Sequence, residues 1–199
     1  MLAPSPNAFQ SLHEEALLLK RLIDDLQELA LAEAGQLRIA CEPLPVAGIV
    51  EQAVSAFAAQ AASKGIALQT AIPADLPALY ADAERCGQIL RNLLANALVH
   101  TPDGGRFEIR AQAANAQVEI SVTDSGTGIA PEHLPNIFER FYRADSSRTR
   151  ATGGAGLGLA IVKQLVEAQG GRVWAESEAG KFTTILVALP VGQATAQQR

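Results

Sequence analysis

Residues 82–100 read DAERCGQILRNLLANALVH, and this stretch decides the fold. Asp82 sits where a helix N-cap is wanted, and Ile89, Leu90, Leu93, Leu94, Ala97 and Leu98 recur at the spacing of a helix with one buried face. Gln88, Asn92, Asn96 and His100 fall at four-residue steps, so they make one polar ridge along the helix. Thr101-Pro102-Asp103-Gly104-Gly105 closes it with strong turn chemistry. Two alternating runs follow, Phe107 to Ala111 and Val118 to Thr123, parted by a polar turn around Asn115, which reads as an antiparallel hairpin.

Outward from this centre the pattern keeps alternating between helix and strand. Upstream, Met1 to Asn7 reads as a loop, and a long helix then carries Leu12, Leu19 and Leu26 at sevenfold spacing, with Ala16, Ile23 and Ala30 between them. That is a bundle seam, widened by Leu22 and Leu29 and stopped by Gly35. A helix this apolar needs partners from another copy or another segment. Leu37 to Glu42 reads as a short strand, Val46 to Ser63 as a helix ending at Gly65, Ile66 to Ile72 as a strand, and a further short strand is expected near Leu79. Downstream, a long irregular stretch leads to a helix over Leu157 to Ala168 and two strands around Val173 and Thr184 to Leu189. The predicted fold is an α/β (α+β) two-layer sandwich: a mixed, mostly antiparallel sheet of about five strands on about three helices, preceded by one long bundle helix. The predicted divisions are a bundle-helix unit over 1–35, a sandwich domain over 36–191 and a disordered tail over 192–199.

Composition narrows the function classes. A net charge of −5 argues against bulk nucleic-acid binding. Cys41 and Cys86 match no metal or redox spacing and read as two buried thiols. No apolar run approaches the length of a membrane span, so the chain is expected to be soluble and cytoplasmic without membrane contact of its own.

Three elements carry chemistry. The ridge offers Gln88, Asn92 and Asn96 as neutral carbonyl-bearing side chains, which suit a hard cation shared with phosphate oxygens; the bland alternative is a solvated stripe. Asp124-Ser-Gly126-Thr-Gly128-Ile129 places a carboxylate at a strand end, able to accept from an exocyclic amine, with glycines that let backbone approach a flat ring. Gly153-Gly154-Ala155-Gly156-Leu157-Gly158-Leu159 opens a helix whose free N–H groups can meet an anion. Neither a Walker A loop nor a dinucleotide fingerprint is present. Between the second and third elements, Phe138 to Arg143 is followed by Arg148 and Arg150, arginines suited to phosphates; the aromatic residues read as packing.

In this order the elements resemble the sensor histidine kinases of two-component systems, within the GHKL ATPases and their Bergerat fold. Asn92-Leu-Leu-Ala-Asn96-Ala looks like the N box, Asp124 to Gly128 the G1 box, Phe138 to Arg143 the F box, and Gly154 to Leu159 the G2 box. The resemblance implies ATP and Mg²⁺ as cofactors: Asn96, assisted by Asn92, on the metal, and Asp124 on the adenine amine with Thr183 joining through water. Gly154, Gly156, Leu157 and Gly158 would meet phosphates, Gly126, Gly128 and Ile129 would shape the base pocket, and His100 would border the phosphates. Residues from about Ile129 to Ala155 would form a lid, with Arg143 the phosphate contact and Ala144 to Gly153 mobile. Leu12 to Glu33 looks like the second helix of the dimerisation and phosphotransfer domain. Homodimerisation through it, a response regulator as partner and an inner-membrane parent sensor are implied.

Three departures stand out. Val99 occupies a position where the family often has Lys or Arg, and Phe182 replaces a glycine before Thr183, which is expected to narrow the adenine end. No phosphoacceptor motif is present: His13 reads as a surface residue of the second helix, and His133 as a solvent-facing loop residue. No catalytic residue is therefore assigned, and the chain by itself is expected not to phosphorylate itself. The rival readings are a GHKL ATPase that hydrolyses ATP, and a nucleotide-binding fragment without catalysis. Hydrolytic relatives carry a glutamate where Asn92 stands, which disfavours hydrolysis.

Overall fold

A computed structural model describes residues 6–144 and 155–192. The chain runs α1 (Pro6–Glu33), β1 (Glu42–Leu44), α2 (Val46–Ser63), β2 (Ala67–Ala71), β3 (Leu79–Ala81), α3 (Ala83–His100), β4 (Arg106–Ala114) and β5 (Gln117–Asp124). A short 3-10 turn (Leu134–Asn136), α4 (Gly158–Ala168), β6 (Arg172–Glu178) and β7 (Phe182–Pro190) complete it.

Five strands form one mixed sheet in the order β2-β4-β5-β7-β6. Only β2 and β4 run parallel, because β3 and α3 intervene as the crossover between them; every other pair is antiparallel. One face of the sheet carries Phe107, Ile109, Val118, Ile120, Val122, Ile185, Val187 and Leu189, all buried. Against it lie α2, α3 and α4, which give Val50, Leu90, Leu93, Leu94, Ile161 and Leu165 to the same core. Fully burying a side chain of this size stabilises by about 1.5–3 kcal/mol, so the amphipathic stripe of residues 82–100 is what fastens the helical layer to the hairpin.

The N-cap expected at Asp82 is present: its carboxylate accepts from the Arg85 N–H at 3.1 Å. The same carboxylate accepts from the Ala40 N–H at 2.8 Å, tying the segment after α1 to the start of α3. Asp82→Ala is expected to cost about 1–2 kcal/mol, read as a lower urea midpoint with an unchanged slope.

Two boundaries differ from the sequence reading. The first strand is not Leu37 to Glu42 but Glu42–Leu44, and it runs through Pro43. It pairs only with β3, so its other edge asks nothing of the missing proline N–H. The first helix begins at Pro6, where the ring's fixed φ and absent N–H suit the opening turn. It ends as expected at Gly35 (φ 64°), where Gln36 N–H reaches Leu31 O at 2.9 Å and Gly35 N–H reaches Ala32 O at 3.0 Å.

α1 is docked on the sandwich through its C-terminal part. Leu29 is buried in the common core, Glu28 pairs with Arg85 at 2.6 Å and accepts from Gln88, and Glu33 pairs with Arg140. Its other face leaves Leu12, Leu19, Ile23 and Leu26 exposed. No helix among the described residues is long and apolar enough to cross a membrane.

Candidate functional site

The site is laid out by strand register. Phe107, Asp124, Thr183 and Ser177 stand opposite one another across β4, β5, β7 and β6, at one end of the buried face. Along β5 the buried row is Val118, Ile120, Val122 and then Asp124; along β7 it is Leu189, Val187, Ile185 and then Thr183. A carboxylate and a hydroxyl thus occupy the places where the period-two pattern calls for apolar residues. Asp124 is 4% exposed. Burial pushes its carboxyl up to about 6, and the Gly126 N–H at 2.9 Å pulls only partly the other way.

The loop after Asp124 is clasped by the β6–β7 hairpin. Ile129 N–H donates to Ser177 Oγ at 2.8 Å, Ser177 donates to Phe182 O at 2.6 Å, and Gly180 N–H donates to Thr127 O at 2.7 Å. Gly126 lies so close to His100 that a Cβ there would sit 3.1 Å from the His100 carbonyl carbon. Gly128 has φ 63°, and a Cβ on it would fall 2.7 Å from the Glu178 carbonyl carbon and 2.9 Å from Ala179 Cα. These close approaches fix the loop between the end of α3 and the hairpin.

The polar ridge of α3 is divided by its neighbours. Gln88 does not join a cation site: its amide is engaged by Glu28 and by Arg85 at 3.2 Å, on the α1 side. Asn92 instead lies beside the start of α4, where a Cβ on Gly158 would be 3.9 Å from its Cγ. Asn92 Nδ2 is buried with no hydrogen-bond partner among the described residues. A half-turn of the amide exchanges nitrogen for oxygen, so this position can offer a donor to an anion or an oxygen to a cation. Asn96 is half-buried one turn on, and His100 is exposed at the helix end.

Leu157 is the N-cap of α4, with no side-chain cap among the described residues, and the N–H groups of a first helical turn are suited to an anion. Just upstream, Phe141 N–H donates to Gly156 O at 3.0 Å and joins the two ends of the intervening segment. Gly154, Arg148, Arg150 and all of the expected mobile segment except Ala144 lie outside the described residues. Arg143 is half-buried at the edge of that segment.

Several sequence expectations are corrected here. In the first part of the expected Ile129–Ala155 lid, Ile137 is buried and Ile129, Leu134, Phe138 and Tyr142 pack on the core. Phe141 does not pack as expected of the aromatic trio; it is 60% exposed at φ 59°. His133 is half-buried, with Nδ1 2.7 Å from the Tyr142 hydroxyl. Phe182 falls on the other side of the sheet from Thr183 by strand alternation, so it does not narrow the base end. Cys86 is buried, its thiol pushed up to about 12 by burial, whereas Cys41 is only half-buried. Ser177 carries no signature in the sequence; only its register opposite Thr183 reveals it.

Comparison with known proteins agrees with this geometry. The family described as "Histidine kinase-, DNA gyrase B-, and HSP90-like ATPase" matches residues 81–193. The signal transduction histidine-protein kinase BaeS of Escherichia coli K12 is 37% identical over 187 residues, which are 94% of this chain and 40% of that protein. A structure of full-length ShkA in complex with AMPPNP superposes with a TM-score of 0.84 at 32% identity, over 100% of this chain and 42% of that one. The histidine kinase AdeS of Acinetobacter baumannii shares the fold, with a TM-score of 0.81 at 24% identity over 96% of this chain and 88% of that one. The chain therefore spans about two-fifths of the length of BaeS.

Proposed function

The chain belongs to the histidine kinase-, DNA gyrase B- and HSP90-like ATPase family and carries the catalytic domain of a sensor histidine kinase of a two-component system; from that premise we propose that it binds Mg-ATP and presents the γ-phosphoryl group to a histidine outside its own motifs, for relay to a response regulator. The observation that carries this reading is the buried Asp124, held in an apolar row beside Thr183. A carboxylate so placed is costly unless a ligand donor meets it, and the exocyclic amine of adenine is such a donor. Gly126, Gly128 and Ile129 shape the wall around the base.

At the other end, the phosphates would lie between α3 and the first turn of α4, at Gly154, Gly156, Leu157 and Gly158, with His100 and Arg143 at the border. The Asn92 amide, whose Nδ2 has no partner among the described residues, fits a Mg²⁺–phosphate group, because neutral oxygen donors suit a cation whose charge the phosphates already balance. Asn96 and Asn92 would hold the ion, which supplies charge neutralisation at the phosphate oxygens. The protein's share of catalysis is positioning and electrostatics, since phosphoryl transfer asks little covalent chemistry of it. Asn92, having no ionisable group, cannot act as a base toward water, which favours transfer over hydrolysis.

In this reading residues 36–191 are the catalytic unit and α1 belongs to the dimerisation and phosphotransfer domain, its exposed Leu12–Leu19–Leu26 seam being the dimer face within a four-helix bundle. None of His13, His100 and His133 sits in an acceptor motif. The 199-residue chain should therefore take no label from γ-labelled ATP.

Calorimetric titration tests the metal end. Asn96→Ala should weaken Mg-ATP about tenfold, the size of one lost charge-assisted contact, while metal-free ATP changes little. Equal weakening with and without Mg²⁺ would remove Asn96 from the metal site.

A further inference from the structure

We propose that Ser177 fixes the Thr183 hydroxyl as an acceptor toward the ligand, and so makes the base end select a purine bearing an amine at its six position over one bearing a carbonyl there. This rests on the reading above that Asp124 and Thr183 face the base.

The argument follows from counting protons. Ser177 has one hydroxyl proton, and it is committed to the Phe182 carbonyl at 2.6 Å. One of its two lone pairs is taken by the Ile129 N–H at 2.8 Å. Thr183 Oγ1 lies 3.1 Å away, a hydrogen-bond distance, and Ser177 has no second proton to give. Thr183 must therefore be the donor in that pair. With its only proton turned to Ser177, Thr183 can present only lone pairs elsewhere. Asp124, directly opposite in register, is likewise an acceptor when ionised. The base end then consists of two acceptors. An amine donates to them directly; a carbonyl in the same place brings lone pairs against lone pairs. Mismatched polarity rejects an analogue far more sharply than mismatched size.

The rotor is held from two sides. Phe182 O belongs to the start of β7 and Ile129 N–H to the glycine loop, so the direction of the Ser177 hydroxyl on β6 is set by backbone groups of two other segments. Without the Ser177 oxygen the Thr183 proton is released and can turn toward the ligand, and the site becomes indifferent to polarity. Ser177 is thus a positioning residue that acts through Thr183.

The test is titration of the whole 199-residue chain with ADP and with inosine diphosphate, which differ in the six-position group. The unaltered chain should prefer ADP. Ser177→Ala should cut that preference about tenfold, and Ser177→Thr, which keeps the hydroxyl, should restore it. A merely structural serine gives a different result: both nucleotides weaken by the same factor in Ser177→Ala and the ratio stands, which overturns the proposal. If Ser177→Ala does not fold, the near-isosteric Thr183→Val decides; a preserved ratio there also overturns it. An unaltered chain that binds both nucleotides equally would overturn the base-site reading and this proposal with it. Clear preference in the unaltered chain that persists in Ser177→Ala overturns this proposal alone.

Discussion

Asp124→Asn is expected to weaken ADP binding while making the nucleotide-free protein more stable at neutral pH. The two effects have one cause. The carboxyl is 4% exposed and pushed by burial from 3.8 to about 6, so keeping it ionised in the fold costs free energy that water would otherwise supply. A shift of about two units corresponds to roughly 3 kcal/mol at pH 7, an upper figure for what the uncharged amide recovers. The sign is fixed by linkage. A raised carboxyl pKa contributes stability that is complete below about 4 and lost as pH rises through about 6. The gain from Asp124→Asn should therefore appear at pH 7, on the order of 5 °C in Tm for a chain of this size, and vanish at pH 4. Binding moves the opposite way. Losing the charge-assisted bond to the amine costs about 1.5–3 kcal/mol, tenfold or more in Kd. In the unaltered chain, ADP affinity should fall as pH drops below about 6 and the acceptor is protonated. Unchanged ADP affinity in a folded Asp124→Asn protein would disprove the assignment.

The second large effect is expected at Gly128→Ala. An L residue at φ 63° costs about 1–2 kcal/mol, and the added methyl has nowhere to go, since Glu178 and Ala179 backbone atoms lie within 3 Å of it. The obstacle is main chain of a paired hairpin, so the loop must lift away. That breaks the bonds from Ile129 to Ser177 and from Gly180 to Thr127, each worth about 0.5–1.5 kcal/mol. Altogether some 2–5 kcal/mol is at stake, and ADP binding should weaken by more than about tenfold. Gly170→Ala is the control: φ is 73° there with nothing within 4 Å, so it carries the backbone cost without the collision. If Gly128→Ala binds ADP as well as Gly170→Ala does, the loop does not form the site.

What the sequence disclosed and what it withheld divide along a physical line. α3, the β4–β5 hairpin, α4 and the Asp82 cap were legible because each is set by local periodicity and capping within one turn or one strand. Asp124 and Thr183 were legible through the family motifs, and register places them opposite one another. The misread residues are those whose surroundings come from distant chain. Gln88 lies on the predicted ridge, yet Glu28, sixty positions away, claims its amide. His133 looked like solvent-facing loop and meets Tyr142 across a turn. Phe182 was judged by its place in a motif, when strand alternation sends its side chain to the other face. Ser177 is an ordinary strand serine until β7 is laid beside it.

The bond between Phe141 N–H and Gly156 O has a consequence for how the molecule tolerates insertions and deletions. It splits the long connection from β5 to α4 into a packed part and a part whose two ends are pinned together. Beyond a pin, chain length is thermodynamically cheap: doubling a flexible loop adds only about 0.6 kcal/mol of closure entropy. Residues inserted between Tyr142 and Ala155, both of which pack on the core, are expected to disturb it little, whereas a deletion between Asp124 and Tyr142 would pull Ile137, Phe138 and Tyr142 from their packing. Length variation among relatives, and any grafted peptide, should concentrate in the first interval and avoid the second.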